Sequence, residues 1–275
     1  MSLKYRIYKQ LAKITYYLQE YFNSVWYVYP FGREPKASLK HYLKLAEEAS
    51  QKIYPEVDKF ELQTGYTIQN NWLNKLALHT QIVVKKSLLC YAHGRVLYSA
   101  LSRYLAEHPP NTPYDPVTIW ETGTARGFSA LCMAKALADQ QRPGTIISFD
   151  LLPHDKKMFW NCIDDLEGPK TRLQLLLPWK TLVDNFIIFQ QGDTKLGLPR
   201  VKSGRINFAF LDGSHTYEDV LFEFRQIADY QLSGDIIIYD DYTPNMFPGL
   251  VKAVDEICES YNYQRTDIKG NSERG

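Results

Sequence analysis

Cysteine is scarce in this 275-residue chain, and its four copies, at positions 90, 132, 162 and 258, lie far apart. No pair has the short spacing of a zinc knuckle or a redox dithiol, which argues against both kinds of site and favours reduced thiols. Long hydrophobic runs are also absent, so the sequence predicts no membrane-spanning helix, and the first residues lack the apolar core of a signal peptide. From these absences we expect a soluble, cytoplasmic protein that does not associate with membranes.

An excess of one charge is lacking as well. The chain has 32 lysines and arginines against 31 aspartates and glutamates, which gives a formal net charge of +1. This balance argues against a strongly basic binding surface, and we expect no nucleic-acid partner. The charge is unevenly distributed, because basic residues exceed acidic ones in residues 1–110 and the reverse holds in the remainder.

Residues 1–110 have the pattern of a helical subdomain. Apolar residues recur every three or four positions from Leu3 to Phe22, which predicts one amphipathic helix. Similar patterns indicate three further helices, near 39–53, within 72–90 and across 96–105. The basic first helix has two interpretations, attachment to an anionic membrane or packing on the main domain or a partner subunit. We favour packing, because the apolar face is modest and carries tyrosines, and we expect a lid or a homo-oligomer interface.

A proline-rich stretch, HPPNTPYDP at 108–116, is the best candidate for a boundary, and we assign residues 111–275 to a second domain. Short apolar runs alternate there with helical patterns. This alternation predicts an α/β fold with a doubly wound, mostly parallel sheet. The predicted strands are 117–121, 145–150, 185–190, 206–211 and 235–239, with a sixth left open near 263–268. The predicted helices are 127–139, 156–167, 217–230 and 249–261.

The stretch IWETGTARGFSALCMA at 119–134 has the pattern of a strand, a tight turn and a helix. Gly123 and Gly127 allow a ligand to approach the backbone closely, and the helix start after Gly127 offers free N–H groups. The dinucleotide pattern G-x-G-x-x-G is absent. In its place an acid, Glu121, lies on the strand itself, where it would repel a pyrophosphate and suit a ligand that carries an ammonium group.

Asp150 ends the second predicted strand, where a carboxylate can accept both hydroxyls of a ribose. A ligand with a ribose and a cationic end but no phosphate is S-adenosylmethionine. We assign Thr124, in the turn, and Ser129, at the start of the helix, to the same cofactor site. Each feature also has a structural explanation, because glycine turns often serve packing and a strand-terminal aspartate often caps a helix.

Three further acids end the last two predicted strands. Asp212 lies in the motif LDGSHTYED at 211–219, and Asp240 and Asp241 follow the fifth strand. Neighbouring parallel strands open into one crevice, so we expect these carboxylates to meet beside the cofactor. Crowded carboxylates repel one another unless a cation intervenes, and hard oxygen ligands suit Mg²⁺ or a similar ion. The alternatives are a capped helix start at 216–219 and a solvated loop at 240–241.

The motifs WETGTARGFSA, SFD, FLDGSHTYEDV and YDDYTPNMFPGLVKAVDE resemble those of the Rossmann-like class I S-adenosylmethionine-dependent methyltransferases. Within that class they are most similar to the metal-dependent sugar O-methyltransferases of antibiotic biosynthesis, of the macrocin and mycinamicin type. Catechol O-methyltransferase is a more distant relative. The resemblance covers roughly residues 117–262 and leaves the first third of the chain unassigned.

The resemblance implies roles for individual residues. The metal-dependent members have an aspartate at the position of Asp212, an acid or amide pair at 240–241, and a proton acceptor, in some members a lysine, at His215. Asp193 corresponds to a polar group near the adenine, although a capped turn explains it equally well. Ala125 departs from the pattern, because many members have a glycine there.

The sequence therefore predicts transfer of a methyl group from S-adenosylmethionine to a hydroxyl of a small molecule, such as a sugar or a phenol. Asp212 and His215 are the candidate catalytic residues, and Asp212 also belongs to the candidate metal site. One alternative is an oxidoreductase or hydroxylase, disfavoured because the dinucleotide pattern is absent and only one histidine lies near the crevice. The other is a non-catalytic protein that binds S-adenosylmethionine, which would release no S-adenosylhomocysteine.

Overall fold

The computed structural model describes residues 3–27, 30–109, 116–202 and 204–270, and a parallel β-sheet lies at its centre. The strands are β1 Val117–Thr122, β2 Gly144–Asp150, β3 Ile187–Gln191, β4 Phe208–Leu211 and β5 Ile236–Tyr239. All neighbours pair in parallel, in the order β3-β2-β1-β4-β5. The strand order reverses between β1 and β4, which is the switch point of a doubly wound sheet. The predicted fold is confirmed.

The helices of the described residues are numbered α1 to α11 in chain order, and those from α2 onward surround the sheet. Their bounds are α1 Leu3–Tyr27, α2 Leu39–Ser50, α3 Pro55–Thr64, α4 Asn70–Thr80, α5 His93–Glu107, α6 Phe128–Asp139, α7 Arg172–Leu175, α8 Lys180–Phe186, α9 Thr194–Gly197, α10 Tyr217–Ala228 and α11 Pro248–Tyr261. Among these residues, no helix has both the length and the apolarity needed to cross a bilayer. All four cysteines are free thiols.

The helix predicted at 156–167 does not form. Asn161 adopts a left-handed backbone with φ of 53°, a conformation that asparagine tolerates and that interrupts a helix. The Asp165 carboxylate accepts the Trp160 N–H at 2.7 Å, so a side chain replaces a helical backbone partner. Only a 3₁₀ turn, Ile163–Glu167, remains of the predicted element.

Two smaller differences lie outside the sheet. Residues 263–268 contain no strand, so the possible sixth strand is absent from that segment. Helix α3 was not predicted, although Pro55 occupies its first turn, a position where proline is favoured because its missing N–H has no helical partner to lose.

Helices α2 to α5 share their hydrophobic core with the sheet. Tyr42 of α2 and Leu101 of α5 belong to the same buried cluster as Leu131 of α6 and Phe208 of β4. Residues 30–109 are therefore packed into the main body of the protein. The predicted boundary at 110–111 lies outside the described residues, and the division into two domains stays a prediction.

Helix α1 has a different environment. Its side chains are described for residues 3–18, 21 and 22, and all of them are exposed, including Leu11 at 51% and Phe22 at 63%. The apolar stripe predicted from the sequence is present, but it is not packed on the main domain. Packing against a partner subunit stays a prediction.

Removal of residues 1–28 is expected to change the melting temperature by no more than about 2 °C, because the described side chains of α1 bury little surface. The matched control is removal of residues 1–35, which also deletes Phe31. The Phe31 ring lies 4.7 Å from the Arg126 guanidinium and 6.1 Å from the Trp160 ring. We expect this second truncation to lower the free energy of unfolding by about 1–3 kcal/mol, less than the loss of a fully buried phenylalanine. Thermal unfolding of both truncated proteins checks the prediction. If the protein that lacks only residues 1–28 fails to fold, α1 belongs to the core.

Candidate active site

The candidate site lies where β1, β4 and β5 end. Thr122 of β1 pairs with Leu211 of β4, which in turn pairs with Tyr239 of β5. The residues that follow, Gly123 and Asp212 among them, therefore emerge at one edge of the sheet. In doubly wound sheets this edge forms the ligand crevice.

The glycine turn after β1 is in direct contact with the end of β4. Gly123 has φ of +86°, and a Cβ atom at this position would overlap the carbonyl oxygen of Asp212. Gly127, with φ of +87°, caps the start of α6, and a Cβ there would lie 2.8 Å from a Leu176 methyl carbon. Both glycines are thus needed for packing as well as for the left-handed backbone.

Ala125, which departs from the family pattern, adopts the conformation that glycine usually supplies. Its φ is 46°, in the left-handed region, which costs a residue with a Cβ roughly 1–2 kcal/mol. The turn therefore keeps its shape in spite of the substitution, at a cost in backbone strain.

Glu121, Thr124 and Ser129 meet in one buried network. The Glu121 carboxylate is fully buried and accepts the hydroxyls of Ser129 and Ser148. The Thr124 hydroxyl lies 2.5 Å from that of Ser148. Burial raises the pKa of the Glu121 carboxyl. The three predicted residues therefore belong to one hydrogen-bonded network, in which Ser148 links Thr124 to Glu121. Contact with the methionine end of a cofactor stays a prediction.

Asp150, at the end of β2, is bonded directly to the glycine turn. Its carboxylate accepts the Ala125 N–H at 2.6 Å and the Leu152 N–H at 2.8 Å, and it pairs with Arg172 at 2.9 Å. Burial raises the pKa of the Asp150 carboxyl, and the Arg172 guanidinium opposes that rise. The acid and the turn are neighbours, as their spacing in the sequence suggested.

Arg172 was missed in the sequence. Its side chain is fully buried and donates to the carbonyl oxygens of Ala125 and Leu152, at 2.8 and 3.3 Å. It joins the glycine turn to the segment after β2. A lone arginine after an irregular loop forms no pattern that sequence inspection detects.

Asp193 is the N-cap residue of α9, and its carboxylate accepts the Lys195 N–H at 2.8 Å. This is the capped turn that the sequence offered as an alternative. A capped turn does not exclude contact with an adenine, and that role stays a prediction.

Asp212, His215 and Asp241 form a compact cluster. Their ligand atoms lie within 4.8 Å of one another, with His215 Nε2 at 3.7 Å from Asp212 Oδ1 and 3.3 Å from Asp241 Oδ2. The His215 ring stacks on Phe247 at 4.3 Å. Its Nε2 is a buried atom without a hydrogen-bond partner among the described residues.

The cluster differs from the predicted acidic set in one member. Asp240 was expected beside Asp212 and Asp241, but its Oδ2 lies 4.0 Å from His93 Nδ1. Its Oδ1 accepts the N–H of Asp241 at 2.9 Å. His215 occupies the third place in the cluster instead. His93 of α5 thus lies at the edge of the site as a second histidine, where the sequence had indicated only one.

The loop that carries His215 also caps a helix. The Thr216 hydroxyl accepts the Asp219 N–H at the start of α10, as the structural alternative predicted. Beneath this loop lies Glu223, another residue that the sequence analysis missed, whose carboxylate accepts the Thr122 hydroxyl at 2.9 Å. Burial raises the pKa of the Glu223 carboxyl to about 7. Capping and presentation of His215 are therefore compatible uses of one loop.

Part of this chain is similar to known proteins. Residues 120–242 match a family model described as a methyltransferase domain. Among solved structures, the chain is similar to CalS11, a TDP-rhamnose 3′-O-methyltransferase of calicheamicin biosynthesis, with 17% identity, a TM-score of 0.48 and coverage of 80% of this chain and 91% of the other. It is also similar to a putative caffeoyl-CoA O-methyltransferase from Staphylococcus aureus, with 12% identity, a TM-score of 0.48 and coverage of 76% and 91%.

A third similar structure is a Podospora anserina methyltransferase with SAH bound, at 13% identity, a TM-score of 0.43 and coverage of 83% of this chain and 88% of the other. No match was found among curated proteins. With identities of 12–17% and TM-scores below 0.5, these structural likenesses do not identify an activity or a substrate. The family match supports the resemblance that the motifs indicated: residues 120–242 match a methyltransferase domain, and the described sheet has a Rossmann-like order.

Proposed function

We propose that this protein transfers the methyl group of S-adenosylmethionine to a hydroxyl oxygen of a small molecule, with the help of a divalent cation. The observation that carries the proposal is the contact between Gly123 and Asp212. Through it the turn assigned to the cofactor adjoins the cluster of Asp212, His215 and Asp241. The methyl donor and the acceptor hydroxyl would then lie in the same crevice.

The cofactor would lie along the glycine turn. Asp150 would accept the ribose hydroxyls, since its carboxylate is already anchored to Ala125 in that turn. Gly127 would present backbone N–H groups at the start of α6. Glu121 would supply negative charge beneath the cationic end of the ligand, in keeping with its position on β1.

The proposed cation is supported by the chemistry of the donor set. His215 Nε2 is a buried atom without a hydrogen-bond partner, and carboxylate oxygens of Asp212 and Asp241 face it at 3.7 and 3.3 Å. Such a set suits a small divalent ion. Asp212 and Asp241 would hold it, with Asp240 as the third acid suggested by the family. A bound divalent ion lowers the pKa of a coordinated hydroxyl.

His215 would take the proton from the acceptor hydroxyl at Nε2. Its stacking on Phe247 and its two carboxylate neighbours fix the orientation of the ring. The hydroxyl oxygen would then form a bond to the methyl carbon while the bond from that carbon to sulfur breaks. The electron pair stays on sulfur, S-adenosylhomocysteine leaves, and the proton remains on His215. The protein contributes position and electrostatics.

A sugar or a phenol is the acceptor class that we propose. The family motifs favour it, and a hydroxyl is the group that a general base beside a divalent cation would activate. A test of the reaction is incubation with S-adenosylmethionine, Mg²⁺ and panels of sugar nucleotides, glycosides and catechols, with S-adenosylhomocysteine as the measured product. Tight binding of the cofactor without any release of S-adenosylhomocysteine across these panels would favour a non-catalytic protein.

Asp150→Ala is expected to weaken binding of S-adenosylmethionine by ~1.5–3 kcal/mol, the typical loss of a charged hydrogen-bonding partner. Isothermal titration calorimetry measures this directly. Asp193→Ala is a useful comparison, because Asp193 also follows a strand but caps α9. We expect a smaller effect there. Unchanged affinity in Asp150→Ala, with the fold intact, would contradict the proposed position of the ribose.

A further inference from the structure

Helix α5 brings a second histidine to the edge of the site. The motif YAHGRVLY at 91–98 places His93 at the first residue of this helix. Gly94, next to it, allows the close approach, because a Cβ there would lie 2.6 Å from two ring atoms of Phe128. The start of α5 is thus pressed against α6, and a larger residue at position 94 would force the helices apart.

The His93 ring is fixed on two sides by aromatic rings. It meets Phe128 of α6 edge to face at 4.9 Å and lies parallel to Phe210 of β4 at 6.2 Å. In this orientation Nδ1 lies 4.0 Å from Asp240 Oδ2, within ion-pair range. A side chain of the helical region therefore contacts the loop that follows β5.

Asp240 connects His93 to the cluster of Asp212, His215 and Asp241. Its other oxygen accepts the N–H of Asp241 at 2.9 Å. Asp241 adopts φ of 60°, a left-handed conformation that is uncommon for a residue with a side chain, although aspartate tolerates it better than most. In this conformation the Asp241 carboxylate faces His215 at 3.3 Å.

We propose that His93 is a positioning residue of the active site: it orients Asp240, and through Asp240 it stabilises the backbone of Asp241. The inference rests on the proposed function, in which Asp212 and Asp241 hold a cation beside His215. It assigns the helical region a role in the site beyond covering it. The aromatic contacts alone would make His93 a packing residue, so the nitrogen and the ring must be tested separately.

His93→Phe removes the nitrogen and keeps the ring that stacks on Phe210, whereas His93→Asn keeps a donor near the place of Nδ1. The first readout is amide hydrogen exchange at Asp241, measured by NMR on the cofactor-free protein. We expect exchange to become about threefold to tenfold faster in His93→Phe, the effect of losing one partly exposed polar contact, and to return toward the wild-type rate in His93→Asn. The second readout is the affinity for Mn²⁺ measured by calorimetry, with a loss of similar size in His93→Phe.

His79→Phe is the matched control, because His79 lies in the same helical region and pairs with Asp164 at 2.6 Å. This variant should leave both exchange at Asp241 and the Mn²⁺ affinity unchanged. Unchanged exchange at Asp241 in His93→Phe would overturn the proposal and leave His93 as packing. A wild-type protein that binds no Mn²⁺ would instead contradict the proposed cation, while exchange at Asp241 would still decide the role of His93.

Discussion

His215→Ala is expected to lower the rate of methyl transfer by ~10²–10⁴-fold, the usual contribution of a general base. The ring is exposed enough for its removal to leave the fold intact, and its main contacts are Phe247 and the two carboxylates. Binding of S-adenosylmethionine and of the cation should stay near normal. The loss should shrink at high pH, where the acceptor hydroxyl ionises without help. A pH–rate profile, with calorimetry of both ligands, checks these expectations.

The same experiment separates two roles for His215. Nε2 lies close enough to Asp212 and Asp241 for the imidazole to be a third cation ligand. If metal affinity falls in His215→Ala as steeply as in Asp212→Ala, the histidine is a ligand and the base must be sought elsewhere. Full activity in His215→Ala would contradict both roles.

Gly123→Ala is expected to lower the free energy of unfolding by roughly 3 kcal/mol or more. This figure is the sum of the cost of overpacking and the cost of a left-handed backbone in a residue with a Cβ. The added methyl group would overlap the Asp212 carbonyl oxygen, so β4 must shift where it carries the acid. Activity should be lost together with stability. Chemical denaturation and a metal titration measure the two effects.

Gly65→Ala is the control for Gly123→Ala. Gly65 has φ of +79°, close to the +86° of Gly123, but a Cβ there would meet no atom within 4 Å. It should therefore show only the left-handed strain, ~1–2 kcal/mol. Equal losses in the two variants would mean that the contact with Asp212 is not what requires a glycine at position 123.

The sheet was predictable because its strands are short apolar runs that end in turn residues. The two ends of the site, Gly123 and Asp212, were found because each directly follows such a run. The helix expected at 156–167 failed for a local reason, since Asn161 takes a left-handed backbone and Asp165 binds a backbone N–H. Periodicity does not reveal such side-chain competition.

The tertiary contacts of the site could not be predicted from the sequence. Asp240 and Asp241 are adjacent acids after one strand, and nothing in their pattern says that one turns to His93 and the other to His215. That division depends on the left-handed backbone of Asp241 and on α5, a helix that lies more than 130 residues earlier in the chain. Arg172 was missed for the same reason, because its partner Asp150 lies 22 residues earlier.

The central claim is that the methyl donor and the cation occupy neighbouring positions in one crevice. Paramagnetic broadening tests it without knowledge of the acceptor: the methyl protons of bound S-adenosylmethionine are observed by NMR while Mn²⁺ is added. We predict strong broadening in the wild-type protein, lost in Asp212→Ala and in Asp241→Ala under conditions where the cofactor still binds. Bound S-adenosylmethionine whose methyl signal stays sharp at saturating Mn²⁺ would contradict the account.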